Sequence, residues 1–301
     1  MIDLAALASL RAVDRTGSVV AAAEALGFTP SAVSQQVKRL ERQCGVPLLE
    51  RVGRGVMLTG HGRHLADAGA QVLADLEEIE SALHHSTGAV SGHLRVTAFS
   101  TAMRGMVAPA VASVLADHID LSVALTEREP WDTVDLVASG QADLGLVHTW
   151  GDVPIAVPDH LVRTMVAHDV ADVVVPAGHH LASRSRVSPQ DLLDEGWIAT
   201  PEGTICRQWL LRMYDGTGRL PRIAHQSLEF ESHVALVRAG LGVALIPRLG
   251  RQALPPEVVA VPAHRPVPTR TITALHRRSM AASPAIGCLL EALTGSARGR
   301  S

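Results

Sequence analysis

The sequence predicts an α/β fold in three parts: a helical head that ends in a small β-hairpin, a long linking helix, and a two-lobed α/β body. Three observations predict it. Residues 18–40 read as two capped helices separated by a glycine, residues 62–86 keep one helical period without a break, and from His93 onward strand-like and helix-like runs alternate.

Residues 1–16 carry Leu4, Leu7, Leu10 and Val13 at helical spacing, which predicts a helix packed beneath the next two. Ser18 is a candidate N-cap for an alanine-rich helix whose small side chains allow a second helix to approach closely. Gly27 breaks that helix, and Thr29-Pro30 starts another, with hydroxyl as cap and proline at the first position. Val33, Val37 and Leu40 share its inward face. Ser31, Ser34, Gln35 and Lys38 form a polar stripe on the other. A helix-turn-helix that enters the DNA major groove needs these parts: serine and glutamine reach base edges, and lysine answers a phosphate.

Val46–Arg51 and Val52–Leu58 frame a glycine-flanked arginine, a pattern that predicts a hairpin with a cation at its tip. This is the wing of a winged helix, placing Arg51 and Arg54 near the phosphate backbone. At this point the chain resembles the LysR-type transcriptional regulators. The matching pieces are Gly17-Ser18, Ala21-Ala22, Leu26, Ser31-Ala32-Val33-Ser34, Leu40-Glu41, Gly45, Leu48, Arg51 and Leu58-Thr59-Gly60-His61-Gly62. Leu10, Val19 and Leu49 depart from it, standing where that family commonly has phenylalanine. All three are expected in the core, so the departure alters packing and not DNA contacts.

Gly62 to Ser86 places Leu65, Val72, Leu76, Ile79 and Leu83 at steps of seven, four, three and four, a heptad seam that predicts a coiled coil with a partner helix. Asp75, Glu77, Glu78 and Glu80 make the opposite flank polar. His84 to Gly88 reads as a hinge. His84-His85 and His179-His180 invite a metal reading, but adjacent residues share no helix face and no carboxylate or cysteine sits at ligand spacing, so no metal and no cofactor is expected.

In the body, strands are predicted at Leu94–Phe99, Ile119–Thr126, Leu144–His148, Trp197–Thr200, Ile223–Leu228, Val258–Pro262 and Thr271–His276. Two more apolar runs lie within 161–175. Helices are predicted from Ser100 through Asp117, at Trp131–Ser139, Pro189–Glu195, Ile205–Tyr214, Glu231–Ala239 and Pro284–Leu293. This alternation argues for a largely parallel sheet. The final strand and helix rejoin the first lobe. The resemblance implies an effector domain of periplasmic-binding-protein type, and Gly240-Leu241-Gly242-Val243-Ala244-Leu245-Ile246-Pro247 is typical of the same family. The expected division is 1–59 winged helix-turn-helix, 60–88 linker helix and hinge, and 89–301 effector domain. Lobe I then covers about 93–165 and 265–301, and lobe II about 166–264.

Ligands of open α/β sheets bind beyond the carboxyl ends of strands, near helix N-termini. Ser100 and Thr101, Thr126 and Glu127, His148 and Thr149, Thr200 and Glu202, and Phe230 after Glu229 occupy such places. They are the candidates to hold a small polar effector, and the resemblance supports Ser100 and Thr101 most strongly. Helix capping is the competing role of each hydroxyl.

The chain has 301 residues, long enough for two or three cores, with 47% hydrophobic and 19% charged residues and a net charge of −3. The charge is unevenly spread. Residues 1–59 hold seven Lys/Arg against five Asp/Glu, leaving 20 against 25 for the remainder: a mildly basic head on an acidic body. Lys38 is the one lysine. Cys44, Cys206 and Cys288 show no CxxC spacing, and no resolving partner lies near Cys206 in the sequence. Gly-x-Ser-x-Gly, Walker and His-Glu-x-x-His sequences are absent, so catalysis is not expected. No apolar run reaches a membrane span and no leader is evident, which predicts a cytosolic protein.

The expected partners are double-stranded DNA with approximate dyad symmetry, a small-molecule effector, and a second copy of the chain, with a tetramer implied by the resemblance. The competing reading is a cytosolic small-molecule-binding protein or enzyme with an incidental helical N-terminal domain. Residues 18–62 separate the two, because a plain binding protein has no use for a wing.

Overall fold

The computed structural model describes residues 2–53 and 55–298, and the chain divides into two compact units. One is Met1–Gly88 with Ser279–Ser283; the other is Ala89–Arg278 with Pro284–Ser301.

The first unit begins with α1 (Leu4–Thr16), α2 (Val19–Leu26) and α3 (Pro30–Cys44). Each start is capped by the side chain before it: Asp3 accepts from Ala5 and Ala6, Ser18 from Val20 and Ala21, Thr29 from Ala32. Leu10, Val13, Ala22, Ala23, Val33, Val37 and Leu40 meet in one core. Leu4 is an exception to the expected inward row, being 43% exposed at the first turn. Strands β1 (Leu49–Val52) and β2 (Gly55–Leu58) pair antiparallel as the predicted hairpin. Leu10 is fully buried, and Val19 and Leu49 pack partly buried against the same core. Helix α4 (Gly60–Thr87) follows, capped by Thr59. Gly62 is required where α4 presses on the hairpin, since a Cβ there would lie 2.1 Å from the Leu48 carbonyl oxygen.

The second unit runs, in chain order, β3 (Gly92–Ala98), α5 (Ser100–Ala102), a π-turn (Met103–Val107), α6 (Ala108–Asp117), β4 (Leu121–Glu127), α7 (Pro130–Ala138), β5 (Leu144–Trp150) and β6 (Leu161–Pro176). It continues with β7 (Gly196–Ala199), α8 (Ile205–Met213), β8 (Arg222–Gln226), α9 (Phe230–Arg238), β9 (Val243–Pro247), β10 (Val258–Pro262), β11 (Thr269–Arg277) and α10 (Pro284–Arg298). The sheet order is β4-β3-β5-β11-β6-β9-β7-β8, with β10 on β6. Strands β3, β4 and β5 are mutually parallel in one lobe, as are β7, β8 and β9 in the other.

Three expectations are corrected. The apolar runs within 161–175 are a single strand of 16 residues, alternating in burial to about Val170 and continuously buried from Ala171 to Val175. The sheet is mixed, because β6 and β11 cross between the lobes and pair antiparallel with each other and with their neighbours. A crossing strand that returns alongside another needs no helical connection, so parallelism is confined to the strands inside each lobe. Pro189–Leu192 is a short 3-10 turn and not a longer helix.

Candidate functional site

Helix α3 has one buried face and one bare one. Val33, Val37 and Leu40 have 0–1% exposure, whereas Pro30, Ser31, Gln35 and Lys38 are exposed and Ser34 is half-buried. Neighbouring side chains are tied back to the unit: the Ser9 hydroxyl donates to Gln36, and Arg39 pairs with Asp3. Thr29 is occupied as a cap, its oxygen 3.0 Å from the Ser31 hydroxyl. Among the described residues, no hydrogen bond engages the side chains of Gln35 or Lys38. Glu41, on the last turn, accepts from the backbone N–H groups of Leu48 and Leu49 at 2.9 and 3.2 Å, clamping the hairpin against α3. Arg51 is exposed on β1, and Arg54 lies outside the described residues. A rigidly seated helix with an unengaged amide and ammonium on its outer face is suited to a duplex groove.

Along α4, Leu65 packs into the head core, while Val72, Leu76, Ile79 and Leu83 are 47, 37, 56 and 61% exposed in the single chain. That apolar seam is bare over about three turns.

The second site lies where the two lobes of the body meet. Arg270, at the start of β11, is wholly buried: its Nε donates to Asp169 at 2.9 Å and its Nη2 to the Thr101 hydroxyl at 2.8 Å. Its guanidinium rests 5.1 Å from the Phe99 ring centre and 5.4 Å from that of Trp150. Its Nη1 is buried without an acceptor. The other Asp169 oxygen accepts from the Leu249 backbone at 3.0 Å, and Gly250 packs so closely on Thr101 that a Cβ would lie 2.3 Å from its carbonyl oxygen. Asp172, three residues further along the crossing strand, takes Arg248 and Arg251 at 2.6 and 2.9 Å. Hydrogen bonds from those two arginines outweigh the cost of burial and hold its carboxyl below the ordinary value.

Beside Arg270, His148 is edge-on to Phe99 and Trp150, and Trp150 stacks on Trp209 of the second lobe. Burial, then the charge of Arg270, pushes the His148 imidazole well below its ordinary pKa, so it stays neutral. A cavity of about 20 Å³, room for one water, is lined by Trp150, Thr200, Cys206, Trp209, Phe230 and His233, among others. At its edge Trp131 of the first lobe donates from Nε1 to the Gly203 carbonyl of the second at 3.1 Å.

Of the residues expected from the sequence, Thr101, His148, Thr200 and Phe230 come together around Arg270, Trp150 and this cavity. Ser100 is half-buried beside Thr101, while Thr149 is half-buried on β5 opposite Thr271. Thr126, Glu127 and Glu202 are exposed and do not line the cavity. Sequence reasoning missed Arg270, Asp169, Trp150, Trp209 and His233. The Cys206 thiol is raised to about 11, chiefly by burial, which argues against a reactive thiolate.

The fold also supplies a carboxylate to His179-His180 that sequence spacing does not reveal. Glu195 lies 3.2 and 3.7 Å from the two Nε2 atoms. The Leu181 backbone donates to His179 Nδ1, which places the neutral ring's proton on Nε2, facing Glu195. This is the arrangement of a polar clasp.

Comparison with known proteins identifies both parts of the chain. Residues 4–63 match the profile of the bacterial regulatory helix-turn-helix protein, lysR family, and residues 87–298 that of the LysR substrate binding domain. The chain is 30% identical to the RuBisCO operon transcriptional regulator of Allochromatium vinosum over 81% of its own length and 79% of that protein's. It is 28% identical to the HTH-type transcriptional regulator ShiR of Corynebacterium glutamicum, over 80% and 81%. Full-length OxyR of Pseudomonas aeruginosa shares the fold, with a TM-score of 0.75 at 20% identity over 99% of this chain and 97% of that one. CbnR in complex with its target DNA superposes with a TM-score of 0.54 at 20% identity, over 98% and 99%. Among the described residues no helix is long and apolar enough to cross a membrane. The chain belongs to the LysR family: it is a transcriptional regulator with a helix-turn-helix domain and a substrate-binding domain, and not an enzyme.

Proposed function

We propose that this regulator reads its operator through Ser31, Ser34, Gln35 and Lys38, with Thr29 and Pro30 setting the start of the reading helix and Arg51 and Arg54 answering phosphates at the wing. The observation that carries this reading is the asymmetry of α3: three apolar residues anchor it, while the amide and ammonium opposite them are exposed and make no side-chain hydrogen bond among the described residues. The seam of α4 pairs two heads, so that they address two half-sites related by approximate twofold symmetry. Contacts between bodies complete a tetramer, and the protein acts in the cytoplasm, where its DNA is.

The effector is held between the lobes, near Ser100, Thr101, His148, Thr200 and Phe230. Buried polar atoms of Trp150, Trp209, His233 and Arg270, without hydrogen-bond partners among the described residues, support that placement. Parting and closing of the lobes shifts the population between two arrangements of the paired heads and so changes transcription. Screening metabolites by thermal shift, followed by Ser100→Ala, tests the reading. The variant keeps operator binding and loses the ligand response; an unchanged dose–response curve removes Ser100 from the site.

A further inference from the structure

We infer that the effector is a small zwitterion, an α-amino acid with an apolar side chain, whose carboxylate meets Arg270 and whose ammonium meets Glu129 and His233. The inference rests on the cleft being the effector site and adds the class of compound.

Unmet donors and acceptors gather at this cleft: Trp209 and His233 line its cavity, and Arg270 lies against Trp150, which lines it too. On one side, Arg270 has committed Nε and Nη2 to Asp169 and Thr101 and keeps a buried Nη1 with no acceptor. The indole N–H of Trp209, on the cavity wall, is likewise buried without an acceptor. Both donors call for an acceptor, of which a carboxylate is the strongest, and burying them unmet is unfavourable until one arrives.

On the other side the unmet groups are acceptors. His233 Nε2 donates to the Ser227 carbonyl at 2.8 Å, so the neutral ring offers Nδ1 as a lone pair, and that atom is buried without a donor. Burial, the first cause, keeps the ring below its ordinary pKa and therefore neutral. Glu129 stands at the N-cap of α7 yet makes no cap hydrogen bond, and among the described residues no cation pairs with it. It is half-buried, within electrostatic reach of Glu127, Asp132 and Glu229, and these effects together raise its carboxyl. A cation is what relieves such a group. Glu129 lies between Arg128, whose backbone N–H donates to the Ala98 carbonyl at 3.0 Å, and Trp131, which packs on the cluster of Trp150 and Trp209; Arg270 rests against Phe99 and Trp150, so the two residues flank one aromatic cluster.

A compound with only a carboxylate would bring its charge toward Glu129, and one with only an ammonium would leave Arg270 unmet. The walls between them, Ile198, Leu210, Phe230 and Leu245, offer no further charge, so the ligand's remaining part is apolar. The cavity has room for one water, so the ligand enters as the lobes part.

The test uses the full-length chain with alanine, valine, leucine, methionine, phenylalanine and tryptophan as probes, each beside its deaminated acid and its decarboxylated amine, by titration calorimetry. The expected result is that at least one amino acid binds and that losing either charged group weakens it by about tenfold or more. Glu129→Gln then weakens the amino acid but not its deaminated acid, closing the gap between them. A deaminated acid that binds the wild type as tightly as its amino acid overturns the inference, as does a panel in which nothing binds. A singly charged compound from a wider screen whose binding is lost in Thr101→Val overturns the zwitterion and keeps the cleft. Binding that is indifferent to Thr101→Val in every case overturns the cleft as well.

Discussion

Arg270 and Asp169 meet at 2.7 Å, the arginine side chain with no exposure to solvent and the aspartate with 7%. They come from β11 and β6, the two strands that cross between the lobes. A buried pair is costly to assemble and far more costly to break, because the survivor is left as an uncompensated charge. Asp169→Ala is therefore expected to destabilise the body by about 3–5 kcal/mol, measured by urea unfolding of the full chain. A loss below about 1 kcal/mol would mean that water reaches the pair.

His148 makes stability depend on pH. Its imidazole is neutral in the folded chain because burial and Arg270 depress its pKa, whereas the unfolded chain takes up the proton near about pH 6.5. Below that pH the unfolded state binds more protons. The contribution is complete above about pH 6.5 and is lost progressively as pH falls toward the lower folded value. His148→Gln should flatten part of the stability slope between about pH 7 and about pH 5, read from urea midpoints. An unchanged slope would show that His148 is charged in the native state.

Gln35 and Lys38 should fail in different ways. Gln35→Ala is expected to cost about 1–3 kcal/mol on the preferred operator and little on others, relaxing sequence preference. Lys38→Ala should weaken all sequences alike and reduce the salt dependence by about one charge per head. Equal effects of the two across a set of operators would contradict the roles given to α3.

The exposed seam of α4 predicts an obligatory pairing. Ile79→Glu, at a position 56% exposed in the single chain, should leave the head folded while shifting the chain toward monomer in sedimentation experiments at micromolar concentration. An assembly state equal to wild type would move the interface elsewhere.

The head and stalk were legible in the sequence because their signals are local. Ser18, Gly27 and Thr29-Pro30 punctuate two helices within a dozen residues, and each does in the structure what its chemistry suggests. The alternation in the body gave the strands inside each lobe and the crossing strand Thr271–His276, but not the antiparallel pairing of the two crossing strands, whose partners lie about a hundred residues apart. The cleft was half legible. Thr101, His148, Thr200 and Phe230 follow from their places after strands or at helix starts. Arg270 and Asp169 do not, since only the fold brings them together. One signal was available: Asp169 and Asp172 are charges set beside the apolar run Val173-Val174-Val175, and such residues are buried only with partners. Glu129 and His233 carried no comparable mark.

The most direct test of the account is binding of the full-length chain to its own upstream DNA, followed as salt is raised. Phosphate contacts from two paired heads predict that affinity falls about a thousandfold or more between about 50 and about 200 mM salt, with one dimer or tetramer bound per dyad. A chain that stays monomeric and ignores duplex DNA even at the lowest salt would contradict it.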